Sequence, residues 1–166
     1  MNHTYTAKNE YISLKPMSAD DSEKYRVVRN NNIEWFGTNS QISIDQQAIW
    51  YSKYLNSQTE LMFSIYDKKD RFIGGCSLYN IDKKRRIAEF GRIVIDKIST
   101  GHGYGYYATI AAMEIANRIN LSTVKLDVRE NNIKAIKTYI RAGFTQNVVY
   151  NDSEGKPWIQ MTIKFD

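Results

Sequence analysis

The rhythm of hydrophobic and polar residues changes several times along this chain. "YISLKPM" (Tyr11–Met17) alternates apolar and polar positions and meets a proline, which predicts a first strand. The next two stretches have helical period instead. In "SADDSEKYRVVRNN", Ser18 suits an N-cap, and Asp20 and Asp21 fall in the first turn, where the helix dipole favours negative charge. In "SIDQQAIWYSKYLNS", Ser43 suits the cap, Gln46 follows three residues on as a capping box requires, and Ile49, Trp50 and Leu55 recur at helical spacing. Then "LMFSIYD", "RFIGGCSLYNI" and "RIAEFGRIVID" are rich in β-formers, with "KKD" and "DKKR" between them as turns. They predict an antiparallel meander. A glycine-spaced loop follows and opens a helix of about four turns, ending at Asn117–Asn120. "TVKLDVR" reads as a strand, and "NNIKAIKTYIRAG" as a helix closed by Gly143. "FTQNVVYND" and "PWIQMTIKFD" form a last hairpin around "SEGK".

The predicted order is β, α, α, β, β, β, α, β, α, β, β. Three successive strands ahead of the glycine loop exclude an all-parallel doubly wound fold. No repeat, low-complexity tract or linker divides the sequence, so a single domain over residues 1–166 is expected.

Composition changes this picture little. A hydrophobic share of 42% and a charged share of 25% are ordinary for a soluble globular protein. The 23 basic and 18 acidic residues give a net charge of +5, and the positive charges are scattered. The densest cluster, "DKKRR" (Asp82–Arg86), suits a charged hairpin turn, so nucleic acid is not an expected partner. With one cysteine no intrachain disulfide can form, and Cys76 in "FIGGCSLYNI" reads as a buried strand thiol. His3 and His102 lie far apart, so zinc-ligand spacing is absent and no metal is expected. "MNHTYTAKNEY" has no apolar core, and no run of 18 apolar residues occurs. Neither a signal peptide nor a membrane span is expected, and the cytoplasm is the default compartment.

The chemistry begins at Gly101, Gly103 and Gly105, which alternate just ahead of a helix. A dinucleotide fingerprint fails there, because Tyr106 stands at its third glycine and the loop comes late in the chain. A Walker loop fails for want of its lysine. What survives is a backbone that a ligand can approach closely, followed by the unpaired N–H groups and positive dipole end of a helix, which together suit a pyrophosphate. Downstream, Leu126 to Phe144 follows the pattern L-x-V-x-x-x-N-x-x-A-x-x-x-Y-x-x-x-G-F. Spacings of three and four place Asn132, Ala135 and Tyr139 along one helix face.

In combination and in sequence order, these two motifs resemble the GNAT superfamily of acetyl-CoA-dependent N-acyltransferases, over most of the chain. The resemblance implies an α+β fold: a mixed, mostly antiparallel central sheet of about six to seven strands, flanked by about four helices. It also implies acetyl-CoA as cosubstrate, with no metal. Carried over, the backbone from Thr100 through Gly101, His102, Gly103, Tyr104 and Gly105 to Tyr106 would hold the coenzyme pyrophosphate, with His102 as an added donor. Thr100 departs from the family pattern, which has Gln or Arg there, so a side-chain phosphate contact at that position is not expected. The strand amides near Ile93, Val94 and Ile95 would bond the pantetheine arm and polarise the thioester carbonyl. Asn132 and Ala135 would steady the arm from the other side, and Tyr139 would protonate the departing thiolate.

An attacking ammonium must first lose a proton. Glu89, inside an apolar strand, is the candidate base, since burial raises a carboxylate. Strand alternation puts Glu89 on the face of Gly91 and Ile93, with Arg92 opposite. A structural ion pair at Glu89, or a water chain in place of a base, are the alternatives.

The acceptor site in this family is built largely from the first two helices and their linker, here residues 27–55. Arg29, Trp35 and Phe36 would form its wall, although Trp35 and Phe36 could equally pack the linker onto the sheet. The segment resembles the branch that holds ribosomal-protein N-terminal, polyamine and sugar-nucleotide amine acetyltransferases. Asp20, Asp21, Glu23, Glu34 and Asp45 are matched by Lys24, Arg26, Arg29 and Lys53, a balance that does not argue for a polycation. Arg29 would welcome phosphates, so a nucleotide-linked amino sugar is the expected acceptor. A protein N-terminus or a polyamine is the alternative, and a non-catalytic CoA-binding sensor is the alternative of another class. The expected partners are a small-molecule amine and, for assembly, a second copy in a homodimer.

Overall fold

The computed structural model describes residues 2–36 and 40–165. Strands β1 (Ala7–Lys8) and β2 (Ile12–Pro16) lead into helix α1 (Ala19–Asn30), a 3-10 turn (Ile33–Trp35) and helix α2 (Ile44–Leu55). The meander is β3 (Leu61–Asp67), β4 (Phe72–Asp82) and β5 (Ile87–Ile95). A second 3-10 turn (Lys97–Ser99) precedes α3 (Tyr104–Arg118), β6 (Thr123–Arg129), α4 (Ile133–Arg141), β7 (Thr145–Asn151) and β8 (Pro157–Lys164). All eight strands form one sheet in the order β1-β2-β3-β4-β5-β6-β8-β7. Every pairing is antiparallel except β5 with β6.

The α+β class and the four helices match expectation, but the sheet has one strand more than the upper expected count. The addition is β1, two residues long, and too short for any alternation to register. The caps behave as the sequence suggested. Ser18 accepts from the Asp21 amide, and Ser43 with Gln46 forms a full capping box. Gly143, at φ +97°, follows the last turn of α4 in the left-handed region that a helix terminus of this kind requires. The buried stripe of α2 differs from the predicted one. Ile49 and Leu55 are exposed, while Gln47, Trp50, Tyr51 and Tyr54 turn inward at spacings of three and four. A polar residue leads this face because Gln47 donates to the Ser22 carbonyl and hydroxyl, at 3.1 and 2.8 Å, and so is satisfied inside.

Helices α3 and α4 cover one face of the sheet. The alanines of α3 (Ala108, Ala111, Ala112 and Ala116) let it pack closely over Leu14, Phe63, Leu78 and Phe90. Helices α1 and α2 cover part of the other face, through Tyr25, Val28 and Tyr54 against Met17, Met62 and Val94. Strands β3 and β4 are therefore buried almost throughout. In β6, Val124, Leu126 and Val128 are buried, whereas Lys125 and Asp127 are exposed. The sheet face formed by β6, β8 and β7 on the α1–α2 side is thus left without a helix. Cys76 is buried in β4, where burial pushes its thiol up. No helix among the described residues is long and apolar enough to cross a membrane.

Candidate active site

The site starts from an irregularity in β5. Between Gly75 and Ser77 of β4 the register advances two residues, while on β5 it advances three, from Val94 to Gly91. The extra residue makes a β-bulge at Arg92, whose φ is +50°. The bulge reverses the alternation of side chains. Ala88 and Phe90 face α3 and α4; beyond the bulge Val94 faces α1, and Ile93 and Ile95 pack toward α3. This corrects the expectation that Glu89 and Ile93 share a face. Glu89 shares one with Gly91 and with its cross-strand partner Tyr79, and Ile93 lies on the other. Three contacts hold the bulge. The Tyr25 hydroxyl donates to the Arg92 carbonyl at 2.7 Å, the Arg92 guanidinium pairs with Glu60, and the same guanidinium lies over the Tyr79 ring at 4.5 Å.

Past the bulge the sheet opens. Strands β5 and β6 pair only where Ile87–Glu89 meet Thr123–Lys125. From Gly91 to Ile95 the β5 edge toward β6 carries no strand partner among the described residues, so its backbone polar groups are open to a ligand. A cavity of about 640 Å³ occupies the gap and includes Ile93, Val94, Ile95, Asn132, Ala135 and Tyr139 in its walls, with Trp35, Phe36 and Thr100 at its rim. A second cavity, of about 390 Å³, is lined by Thr100, Gly101, Gly103, Tyr104, Gly105 and Tyr106. A channel of about 160 Å³ shares Ile93–Ile95, Asn132, Ala135 and Tyr139 with the first cavity and Gly105 with the second. Most predicted site residues are thus brought along one path. His102 is exposed beside Tyr104 and is not in the cavity wall. Arg29 is buried and is not in the wall either: it donates to the Ser40 carbonyl at 2.7 Å and lies over the Phe36 ring at 4.9 Å. Residues 37–39 of the predicted acceptor segment lie outside the described residues.

The second cavity has the chemistry of an anion cradle. Gly103 caps α3 at φ +75° and Gly101 lies at +90°, so both occupy the region where only glycine is unstrained. A Cβ at Gly101 or Gly105 would meet no protein atom within 4 Å. Internal crowding therefore does not demand glycine at position 105; a side chain there would instead occupy open space. Opposite stand Lys134, Lys137 and Arg141 of α4, which the sequence reading did not select. Their spacing of three and four residues was the available signal. Arg141 lies over the Tyr106 ring at 4.0 Å. The Thr100 hydroxyl is spent on the Lys97 carbonyl at 2.9 Å, in keeping with its departure from the family pattern. A helix N-terminus, a glycine backbone and three cations fit a coenzyme pyrophosphate.

At the other end of the path, Tyr139 sits edge-on to Phe90 and Phe144, and burial pushes its phenol well above the ordinary value. It stays protonated and is a hydrogen-bond donor. Asn132 is the N-cap of α4; its Oδ1 accepts from the Ala135 amide at 3.2 Å, which leaves Nδ2 to reach a ligand. Glu89 is half-buried and accepts from Asn80 Nδ2 at 2.9 Å, but it does not line the cavity. The carboxylates that do are Asp127, Asp152 and Glu154. Asp152 accepts from Trp158 Nε1 at 2.9 Å and stands 3.5 Å from Arg129, which in turn lies over the Trp158 ring at 4.4 Å.

An opened sheet, an anion cradle at a helix N-terminus and a buried tyrosine between them form a path of the kind a coenzyme thioester would need. Residues 12–145 match the acetyltransferase (GNAT) domain, and the chain belongs to that family, whose members use acetyl-CoA. Over 118 residues it is 30% identical to an uncharacterised N-acetyltransferase of Methanocaldococcus jannaschii; the match covers 69% of this chain and 50% of that protein, so the chain spans about half the length of this curated relative. Among solved structures, the spermidine N-acetyltransferase of Vibrio cholerae in complex with CoA and spermine superposes with a TM-score of 0.84 at 24% identity, covering 94% of this chain and 96% of that one. A dodecameric structure of spermidine N-acetyltransferase from the same organism gives 0.80 at 23% identity, over 94% and 95%. At such identities the likeness carries the fold.

Proposed function

We propose that this protein transfers the acetyl group of acetyl-CoA to a primary amine of a polyamine. The observation that carries the reading is the wall of the first cavity. Asp127, Asp152 and Glu154 outnumber its two guanidiniums, and those are already paired, Arg92 with Glu60 and Arg129 with Asp152. Aromatic rings of Trp35, Phe36, Tyr150 and Trp158 stand among these charges, a setting that suits a chain of methylenes and ammonium groups. The nucleotide-sugar acceptor expected from the sequence loses its ground, because Arg29 is buried against Ser40 and Phe36. The fold of the Vibrio cholerae spermidine enzyme, solved with spermine, supports the same choice.

In this reading the glycine loop and the α4 cations hold the pyrophosphate, and the open β5 edge takes the pantetheine arm. Bound acetyl-CoA supplies an activated carbonyl. Backbone N–H groups of Ile93–Ile95 polarise it, and a direct attack in a ternary complex follows. Tyr139 donates to the sulfur as the thiolate leaves. Its raised pKa disfavours a free tyrosinate, so transfer runs with departure of the sulfur rather than ahead of it.

The test is acetyl transfer to spermidine, spermine, an N-terminal peptide and a UDP-linked amino sugar, read as thiol release and by mass of the product. Spermidine or spermine should turn over fastest. Transfer to the sugar alone would reject the polyamine acceptor, and coenzyme binding without turnover on any amine would reject an enzyme in favour of a sensor.

A further inference from the structure

The uncovered sheet face holds two acidic side chains that stand close together. Glu89 on β5 pairs in register with Lys125 of β6, and Asp127 follows two residues later on the same face. Only Asp127 is in the cavity wall, together with Tyr139 and Asn132. Around Asp127 stand Tyr79 of β4, Glu89 of β5, Lys125 and Arg129 of its own strand, Tyr150 and Asp152 at the β7 end, and Gln160 of β8. Glu89 is set behind, held by Asn80 and close to the Tyr79 phenol.

We propose that Asp127, and not Glu89, is the carboxylate that meets the acceptor ammonium and takes its first proton. This rests on the amine-acetyltransferase reading and deepens it. Asp127 is exposed to the cavity, so a ligand can reach it. It is also desolvated enough that its carboxyl is pushed above the ordinary value. Glu89 adds to that push, while hydrogen bonding from Tyr150 and Gln160 and the charge of Lys125 oppose it. A carboxylate so placed is a better proton acceptor than a free one. Glu89 is a positioning residue in this scheme: its charge keeps Asp127 basic without touching the amine.

The protons balance as follows. The ammonium R–NH3+ gives one proton to the Asp127 carboxylate, and the free amine attacks the thioester carbonyl. The C–N bond forms, the C–S bond breaks, and the nitrogen loses its second proton. One proton ends on the sulfur through Tyr139, and the other passes from Asp127 to water. The products are the acetamide, the thiol and one released proton.

The experiment measures kcat and kcat/KM for spermidine against pH in the full chain, with Asp127→Asn, Asp127→Glu and Glu89→Gln beside the wild type. Asp127→Asn should lower kcat by about 100-fold or more and abolish the acidic limb of kcat/KM, while coenzyme affinity stays within about three-fold and reports an intact fold. Asp127→Glu should restore part of the rate and the limb. Glu89→Gln should cost less than about ten-fold and move the limb to lower pH. If Asp127→Asn keeps both the limb and the rate, or if Glu89→Gln removes the limb instead, Asp127 is not the proton acceptor. Wild-type protein that acetylates no amine at all overturns this proposal and the function together.

Discussion

The hydroxyl of Tyr25 on α1 donates to the carbonyl of Arg92 at 2.7 Å, and so ties the first helix to the one residue that breaks the regularity of β5. The donor is buried, and burial keeps the phenol protonated. Because the bulge sets where β5 leaves β6, this bond acts on the first cavity from the opposite face of the sheet. Tyr25→Phe should cost about 1–2 kcal/mol, since it leaves a buried carbonyl without its donor. It should also raise the coenzyme KM. Urea denaturation and steady-state kinetics read the two effects, and an unchanged KM would show that Glu60 and Tyr79 hold the bulge by themselves.

Under the proposed mechanism, Tyr139→Phe removes the donor to the leaving sulfur and nothing else of comparable size. Turnover should fall about 100-fold, with coenzyme affinity held within about three-fold. Calorimetric titration with CoA beside the kinetic assay separates these. A loss of affinity equal to the loss of turnover would make Tyr139 a wall of the cavity and not an acid.

Gly105→Val tests the channel. A Cβ there meets no protein atom within 4 Å, and Gly105 lines the path together with Ile95 and Thr138. Thermal stability should change little, while coenzyme KM rises more than about ten-fold, as expected where a side chain displaces ligand rather than protein.

The α4 cations give a charge-dependent prediction. Replacing Lys134, Lys137 or Arg141 by Gln should weaken coenzyme binding by about two- to five-fold each at low ionic strength. The difference should shrink as salt is raised. Affinity measured in two salt concentrations checks both. An affinity indifferent to all three replacements would assign the phosphates to the helix N-terminus alone.

Asp21 offers a test of stability. It is buried and accepts from Ser64 at 2.8 Å, Tyr66 at 2.6 Å and Lys24 at 3.1 Å. Burial pushes its carboxyl up, but these three donors outweigh that and hold it below the ordinary value. A depressed folded-state pKa contributes stability above the unfolded carboxylate value, near ~3.9, and loses it as pH falls through the folded value. Asp21→Asn should therefore cost about 1–3 kcal/mol at neutral pH. That deficit should narrow below about pH 4, as urea melts at the two pH values will show.

The elements of this fold could be read from the chain because their signals are local. Ser18, Ser43 with Gln46, and Gly143 each fix a helix terminus through bonds to residues three or four away. The glycine loop and helix N-terminus that line the second cavity were legible for the same reason, since a loop feeding a helix is contiguous. The acceptor end was not. Asp127, Asp152 and Glu154 come from β6 and the β7–β8 hairpin, and only the sheet brings them beside Trp35. The face shared by Glu89 could not be read either, because the bulge at Arg92 inverts an alternation that the sequence "AEFGRIVI" shows as unbroken. The α2 stripe failed where a satisfied Gln47 took a core position that hydrophobicity alone assigns elsewhere.

The limited β5–β6 pairing also bears on how the chain folds. Strand β2 meets β3 only across α1 and α2, but β1–β2, β3–β4 and β4–β5 are joined by short turns and close short loops. The join of Ile87–Glu89 to Thr123–Lys125 must instead wait for the chain to pass through α3 and return. A long loop of that kind closes late, at an entropic cost. If that contact is made after the folding barrier, a coenzyme seated across the seam should lengthen the lifetime of the folded protein rather than speed its formation. Stopped-flow unfolding with and without CoA would show this as a slower unfolding limb beside an unchanged folding limb.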